Sequence, residues 1–151
     1  MTVDGLSRPV EILLVEDNPA DARWVREALT DGQIHNSIAV VADGEVALQY
    51  VRREGRFLQA PRPDLILLDL NLPKKSGVEV LADLKADPSL RDIPIVVLTT
   101  SSMERQSLMQ RYDLPSGSYL IKPMTWAGFL EAVQCYSELG PLFQRKRSQA
   151  I

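Results

Sequence analysis

At 151 residues, 45% hydrophobic and 25% charged, the chain has the length and make-up of one soluble globular domain with a sizeable core. A net charge of −3 excludes broad electrostatic attraction to nucleic acid or to an anionic membrane, and the single cysteine, Cys135, excludes a disulfide framework or a thiolate metal cluster. The N-terminus carries Asp4 and no signal-peptide core, and no apolar run approaches the roughly 20 residues a membrane span needs, so the expected location is cytoplasmic.

After a flexible start over residues 1–9, a first strand is expected at about Val10 to Val15. Asn18 can cap a helix whose first position is Pro19, where the missing N–H of proline does no harm. Trp24, Val25, Ala28 and Leu29 recur at helical spacing, and Gly32 ends the element. Ile38 to Val41 reads as a second strand, and Asp43-Gly44 opens a helix that turns Ala47, Leu48 and Val51 inward. Residues 54–63, with two prolines and a glycine, form a loop before a third strand at Leu65 to Leu68. Pro73 interrupts the chain, and a helix resumes near Gly77 with Val78, Leu81 and Leu84 on one face until Asp87-Pro88-Ser89. A fourth strand at Ile95 to Leu98, a helix holding Leu108, Met109 and Tyr112, a fifth strand at Tyr119 to Ile121 and a helix from about Thr125 complete the series. Trp126, Phe129, Leu130 and Val133 fall at i, i+3, i+4 and i+7 on that last helix, the spacing of a core-facing stripe.

Strands without polar alternation, joined by connections too long for hairpins, point to a parallel sheet covered by helices on both faces. Four of the runs end in chemistry: Glu16-Asp17, Asp69, Thr99-Thr100 and Lys122-Pro123. Ligands of open parallel sheets bind outside the carboxyl ends of the strands, so adjacent strands would bring three carboxylates, a hydroxyl and an ammonium to one edge. Magnesium favours oxygen ligands from one or two carboxylates together with phosphate oxygens, and Asp17 and Asp69 could supply them, with Glu16 reaching through a water. Asp69 is also short enough to serve as the nucleophile of an aspartyl phosphate, with Lys122 as a compact neutralising charge and Thr99 as a hydrogen-bonding detector. Alignment on the apolar run favours Thr99 over Thr100 for that contact.

Leu13-Leu14-Val15-Glu16-Asp17-Asn18, Leu67-Leu68-Asp69-Leu70-Asn71-Leu72-Pro73, Val97-Leu98-Thr99-Thr100 and Ser118-Tyr119-Leu120-Ile121-Lys122-Pro123 resemble the signature segments of receiver domains from two-component response regulators. The likeness runs from about Glu11 to Tyr136. Asp43-Gly44-Glu45, Ala60-Pro61-Arg62-Pro63-Asp64, the stretch from Asn71 to Gly77 and Leu98-Thr99-Thr100-Ser101-Ser102 narrow it to single-domain regulators paired with cyanobacterial and bacterial phytochrome kinases. The resemblance implies a flavodoxin-like, doubly wound five-stranded parallel sheet in the order 2-1-3-4-5 with five helices, a receiver unit over residues 10–137 and a C-terminal extension over 138–151. It implies that Asp69 accepts a phosphoryl group from a sensor histidine kinase, and that Glu16, Asp17, Asp69 and the backbone carbonyl of Asn71 hold Mg²⁺. Thr99 and Lys122 would contact the phosphoryl group, Thr99 and Tyr119 would form a switch pair, and Pro123 would shape the backbone beside the lysine. The chain differs from the usual small-residue turn before Tyr119, where it has Leu114-Pro115-Ser116-Gly117-Ser118.

Such a protein is a signalling switch rather than an enzyme, whether its output is a changed binding surface, onward relay of the phosphoryl group, or drainage of a kinase. A haloacid-dehalogenase-type hydrolase would carry a second aspartate two positions after the nucleophile, where this chain has Asn71. A nucleotide or flavin binder would need a glycine-rich loop where Glu16-Asp17-Asn18-Pro19 stands. His35 is expected in a loop without chemistry, Cys135 on a helix face, Trp24 and Trp126 in or near the core, and Arg145-Lys146-Arg147 in a solvated tail. Leu139 to Phe143 is more apolar than a free tail requires. Exposed just past the face of the fourth helix, fifth strand and fifth helix, it is expected to join that face in the isologous interface of a homodimer, the alternative being a tail folded back on its own domain.

Overall fold

The apolar runs become the five strands of one sheet: β1 (Val10–Val15), β2 (Asn36–Val41), β3 (Leu65–Asp69), β4 (Ile95–Thr99) and β5 (Tyr119–Ile121). The computed structural model describes residues 9–33, 35–100 and 105–144. Every strand pairing is parallel and the order is β2-β1-β3-β4-β5. Among the described residues six α-helices connect or follow the strands: α1 (Pro19–Asp31), α2 (Gly44–Arg52), α3 (Gly77–Ala86), α4 (Arg105–Arg111), α5 (Trp126–Val133) and α6 (Gly140–Gln144). The expected flexible start and the basic cluster Arg145-Lys146-Arg147 lie outside the described residues, apart from Pro9.

Local chemistry accounts for the helix starts. Asn18 accepts hydrogen bonds from the backbone of Ala20 and Asp21 ahead of Pro19, and Asp43 accepts from Val46. Ser76 and Glu79 form a reciprocal capping box, and Thr125 accepts from Gly128. Gly32 ends α1 in a right-handed conformation, and the left-handed residue is Gln33, at φ 60°. What requires glycine at position 32 is packing, because a Cβ there would run into the ring of Trp126 on α5.

Alternate residues of the strands feed two cores. One lies under α1, α5 and α6 and contains Ile12, Leu14, Leu67, Leu98, Val25, Leu29, Phe129 and Val133; the other, under α2, α3 and α4, contains Leu13, Val15, Ile66, Leu68, Val97, Leu48, Leu81 and Leu84. Each fully buried leucine, isoleucine or phenylalanine contributes about 1.5–3 kcal/mol over an exposed one, and these cores hold the strand ends in register.

Val51 and Val78 are half-buried and pack against the second core as expected, with Tyr50 and Val80 buried beside them. Two expectations need correction. Trp24 is not core: it is 52% exposed, and its indole N–H donates to the carbonyl of Met124 at 2.8 Å. The stretch from Leu139 to Phe143 is not an exposed patch but includes a sixth helix. Leu139 and Phe143 are each only 1% exposed, and the Phe143 ring meets Phe129 edge-on at 5.0 Å. The apolar character that suggested an interface between molecules is satisfied within one molecule.

Candidate functional site

The chain passes from β1 to β2 on one side and returns to β3 on the other, so the crevice beyond β1 and β3 is where such a sheet binds its ligand. The residues singled out above gather at this edge. Glu16 and Asp17 follow β1, Asp69 is the last residue of β3, Thr99 is the last of β4, and Lys122 follows β5. Carboxylate oxygens of Glu16, Asp17 and Asp69 lie within 4.8 Å of one another, with Glu16 and Asp69 buried and Asp17 exposed.

Lys122 is the hub. Its Nζ donates to Asp69 Oδ2 at 2.9 Å and to Asp21 Oδ2 at 3.1 Å, and it lies 2.8 Å from Glu16 Oε1 in an ion pair. Burial works against its charge, but these hydrogen bonds outweigh it and hold the ammonium above the usual lysine range. Its own backbone N–H donates to the Thr99 carbonyl at 2.9 Å, which ties the loop after β5 to β4, and the Lys122–Pro123 bond is cis. Asp69 is held from the other side by the backbone N–H of Asn71, 2.9 Å from its Oδ1. Gly77, at the start of α3, packs so closely on the Asp69 carbonyl that a Cβ has no room there.

The donor set suits a hard divalent cation. Burial first, and then the neighbouring Asp69 carboxyl, push Glu16 up to about 7, although Lys122 and the Asn18 N–H (3.2 Å from Oε2) pull the other way. Three carboxylates with oxygens within 4.8 Å of one another outnumber the one ammonium beside them, and such clustered oxygen ligands are what Mg²⁺ or Mn²⁺ takes.

The remaining expected residues fall as follows. Thr99 is buried at the strand end and Thr100 is exposed. Tyr119 sits half-buried opposite Val97, on the same sheet face as Thr99 and two residue pairs earlier. Asn71 and Pro123 are exposed, His35 lies exposed just before β2, and Cys135 is exposed one residue past the cap of α5. Sequence reasoning missed Asp21. Three residues into α1 it reads as an ordinary acidic residue favoured by the helix dipole, and only the fold brings it to Lys122.

Comparison with known proteins agrees with this geometry. Residues 12–134 match the response regulator receiver domain. Response regulator Rcp1 of Synechocystis sp. PCC 6803 is 44% identical over 131 residues, 87% of this chain and 88% of that protein. A structure of Rcp1 in its Mn²⁺-bound form superposes with a TM-score of 0.70 at 43% identity, covering 80% of this chain and 86% of that one. The bacteriophytochrome response regulator AtBRR gives a TM-score of 0.77 at 39% identity, with 86% and 94% of the two chains covered. The phosphorylated cyanobacterial phytochrome response regulator RcpA gives 0.69 at 42% identity, with 95% and 98% covered. With its signature side chains gathered at one sheet edge and this match along most of its length, the chain belongs to the response regulator receiver family and is related to the phytochrome response regulators.

Proposed function

We propose that the protein is a response regulator that accepts a phosphoryl group on Asp69 from the phosphohistidine of a sensor histidine kinase, and that it acts in the cytoplasm. The observation that carries this reading is the Asp69 carboxylate fixed between the Lys122 ammonium and the Asn71 N–H at the mouth of the crevice. A carboxylate oxygen of Asp69 forms a bond to phosphorus as the phosphorus–nitrogen bond of the donor histidine breaks, and the leaving imidazole takes up a proton. Lys122 neutralises charge on the transferred group, Thr99 hydrogen-bonds it, and Tyr119 on the same sheet face passes the change outward. Glu16, Asp17, Asp69 and the Asn71 carbonyl would hold Mg²⁺, which would supply positive charge to offset that of the phosphoryl group.

The relatedness to AtBRR and RcpA supports a phytochrome-type kinase as the donor. Incubating the protein with autophosphorylated kinases, phytochrome-type ones among them, tests this: rapid transfer from those in preference to unrelated kinases is expected, and no preference contradicts the pairing. We take residues 10–137 as the receiver unit and 138–151 as an extension, of which Leu139 and Phe143 dock on the receiver core. Output runs through a changed protein-binding surface, with relay or drainage of the kinase as the second reading.

The α4, β5 and α5 face, where Ile121 is 41% exposed, is the surface we assign to a homodimer, without Leu139 or Phe143. A dimer in sedimentation at high micromolar concentration supports that assignment, and a monomer overturns it. Metal binding separates the two neighbouring acids. Asp17 is exposed on the crevice, whereas Glu16 is buried against Lys122, so Asp17→Ala is expected to weaken Mg²⁺ binding in a titration more than Glu16→Ala does. The opposite order would exchange their roles.

A further inference from the structure

Three oxygens share the Lys122 ammonium, and they are not equivalent. Glu16 and Asp69 belong to the buried carboxylate cluster, whereas Asp21 stands outside it on the first turn of α1, its side chain 44% exposed. Asp21 is fixed there by more than its lysine contact. Its backbone N–H donates to the Asn18 cap at 3.2 Å, and one turn further on Trp24 anchors α1 to the carbonyl of Met124, two residues past Lys122. Glu16, Asp21, Trp24 and Lys122 line one cavity with Val25, Leu98, Pro123 and Met124. The contact between Asp21 and Lys122 is therefore a built link between α1 and the loop after β5.

We propose that Asp21 is a positioning residue that competes for the Lys122 ammonium, so that Lys122 engages an anionic group on Asp69 by giving up Asp21 for an oxygen or fluorine of that group. This rests on the reading of Asp69 as the phosphoryl acceptor. Lys122 already hydrogen-bonds Asp69 and Asp21 and pairs with Glu16, so a new acceptor competes with these carboxylates for one ammonium. Asp21 is the partner whose release is easiest, because water can solvate its half-exposed carboxylate while Glu16 and Asp69 have little such access. It also places a further negative charge beside a group that is itself negative, which opposes binding. The arrangement thus lowers the affinity of the cleft for the anion while keeping Lys122 within reach of it.

The test uses the full chain with Mg²⁺ and beryllium trifluoride, an anion that mimics a phosphoryl group without covalent transfer, read by the change in tryptophan fluorescence, to which Trp24 in the shared cavity contributes and which Trp126→Phe isolates. Asp21→Asn is expected to tighten binding about threefold, the size expected of a half-exposed ion pair. Asp21→Glu, which keeps the charge and can still reach the lysine, should bind as the wild type does. Glu27→Gln removes the same charge from the exposed far side of α1 and should change nothing. In the probe-free protein, ¹⁵N NMR should show faster hydrogen exchange at Lys122 Nζ in Asp21→Asn alone, an effect that a merely structural role in α1 would not produce. Unchanged or weaker binding in Asp21→Asn, or an equal gain in Glu27→Gln, overturns the proposal. A wild type that binds no probe at all overturns the acceptor reading and this proposal with it, which distinguishes the two failures.

Discussion

Asp69→Asn is expected to abolish labelling by a small-molecule phosphodonor such as acetyl phosphate in the presence of Mg²⁺, leaving less than about 1% of the wild-type level. The neutral amide oxygen lacks the charge that makes the carboxylate a nucleophile. The loss should not come from unfolding. The amide is nearly isosteric with the carboxylate and can still accept the Asn71 N–H that Asp69 Oδ1 accepts at 2.9 Å. Lys122 keeps Glu16 and Asp21 as partners, and removing one of three crowded carboxylates relieves repulsion. The melting temperature should therefore stay within a few degrees of the wild type. Normal labelling of a folded Asp69→Asn protein would show that the acceptor is another residue.

The second large effect is on stability and concerns the far end of the chain. Phe143 is 1% exposed, its ring edge-on to that of Phe129 at 89° and 5.0 Å, in the core that also holds Leu139. Truncating a buried phenylalanine to alanine costs about 3–5 kcal/mol, through lost transfer energy and the cavity left behind. A short terminal helix can partly relax into the gap, so a loss near 3 kcal/mol is expected for Phe143→Ala. For a chain of this size that corresponds to a fall of roughly 10 °C in melting temperature. Urea denaturation gives the energy directly, and a loss below about 1 kcal/mol would mean that α6 is not docked on the core. Ending the chain at Ser137 removes both Leu139 and Phe143 and so should destabilise the fold. Assembly is accordingly better probed on the full chain.

These outcomes bear on what can be read from the residues alone. β1 falls where its apolar run places it, and Asn18-Pro19, Asp43 and Thr125 open helices as expected, because buried parallel strands and helix caps are governed by local chemistry. The chemical residues were legible because they follow those strands, and a parallel sheet puts all its carboxyl ends on one edge. Asp21 was not legible, since its contact with Lys122 spans 101 residues and depends on how α1 lies against the loop after β5. Trp24 misled for a related reason. Helical spacing says which residues share a face but not how far that face rolls toward solvent, and Trp24 sits at its margin, satisfied by the Met124 carbonyl. Leu139 and Phe143 were recognised as unusually apolar, but composition cannot tell a surface that docks on its own core from one that docks on another molecule.

The central claim is that the crevice formed by Glu16, Asp17, Asp69 and Lys122 is built to carry a phosphoryl group on one particular oxygen-bearing side chain. Its most direct test is to treat the wild-type protein with acetyl phosphate and Mg²⁺, reduce the acyl phosphate with borohydride, and locate the modified residue by peptide mass spectrometry. The account predicts a single Mg²⁺-dependent modification at Asp69. Modification at Asp17 or Asp21 instead, or an acyl phosphate that forms equally well without a divalent cation, would contradict it.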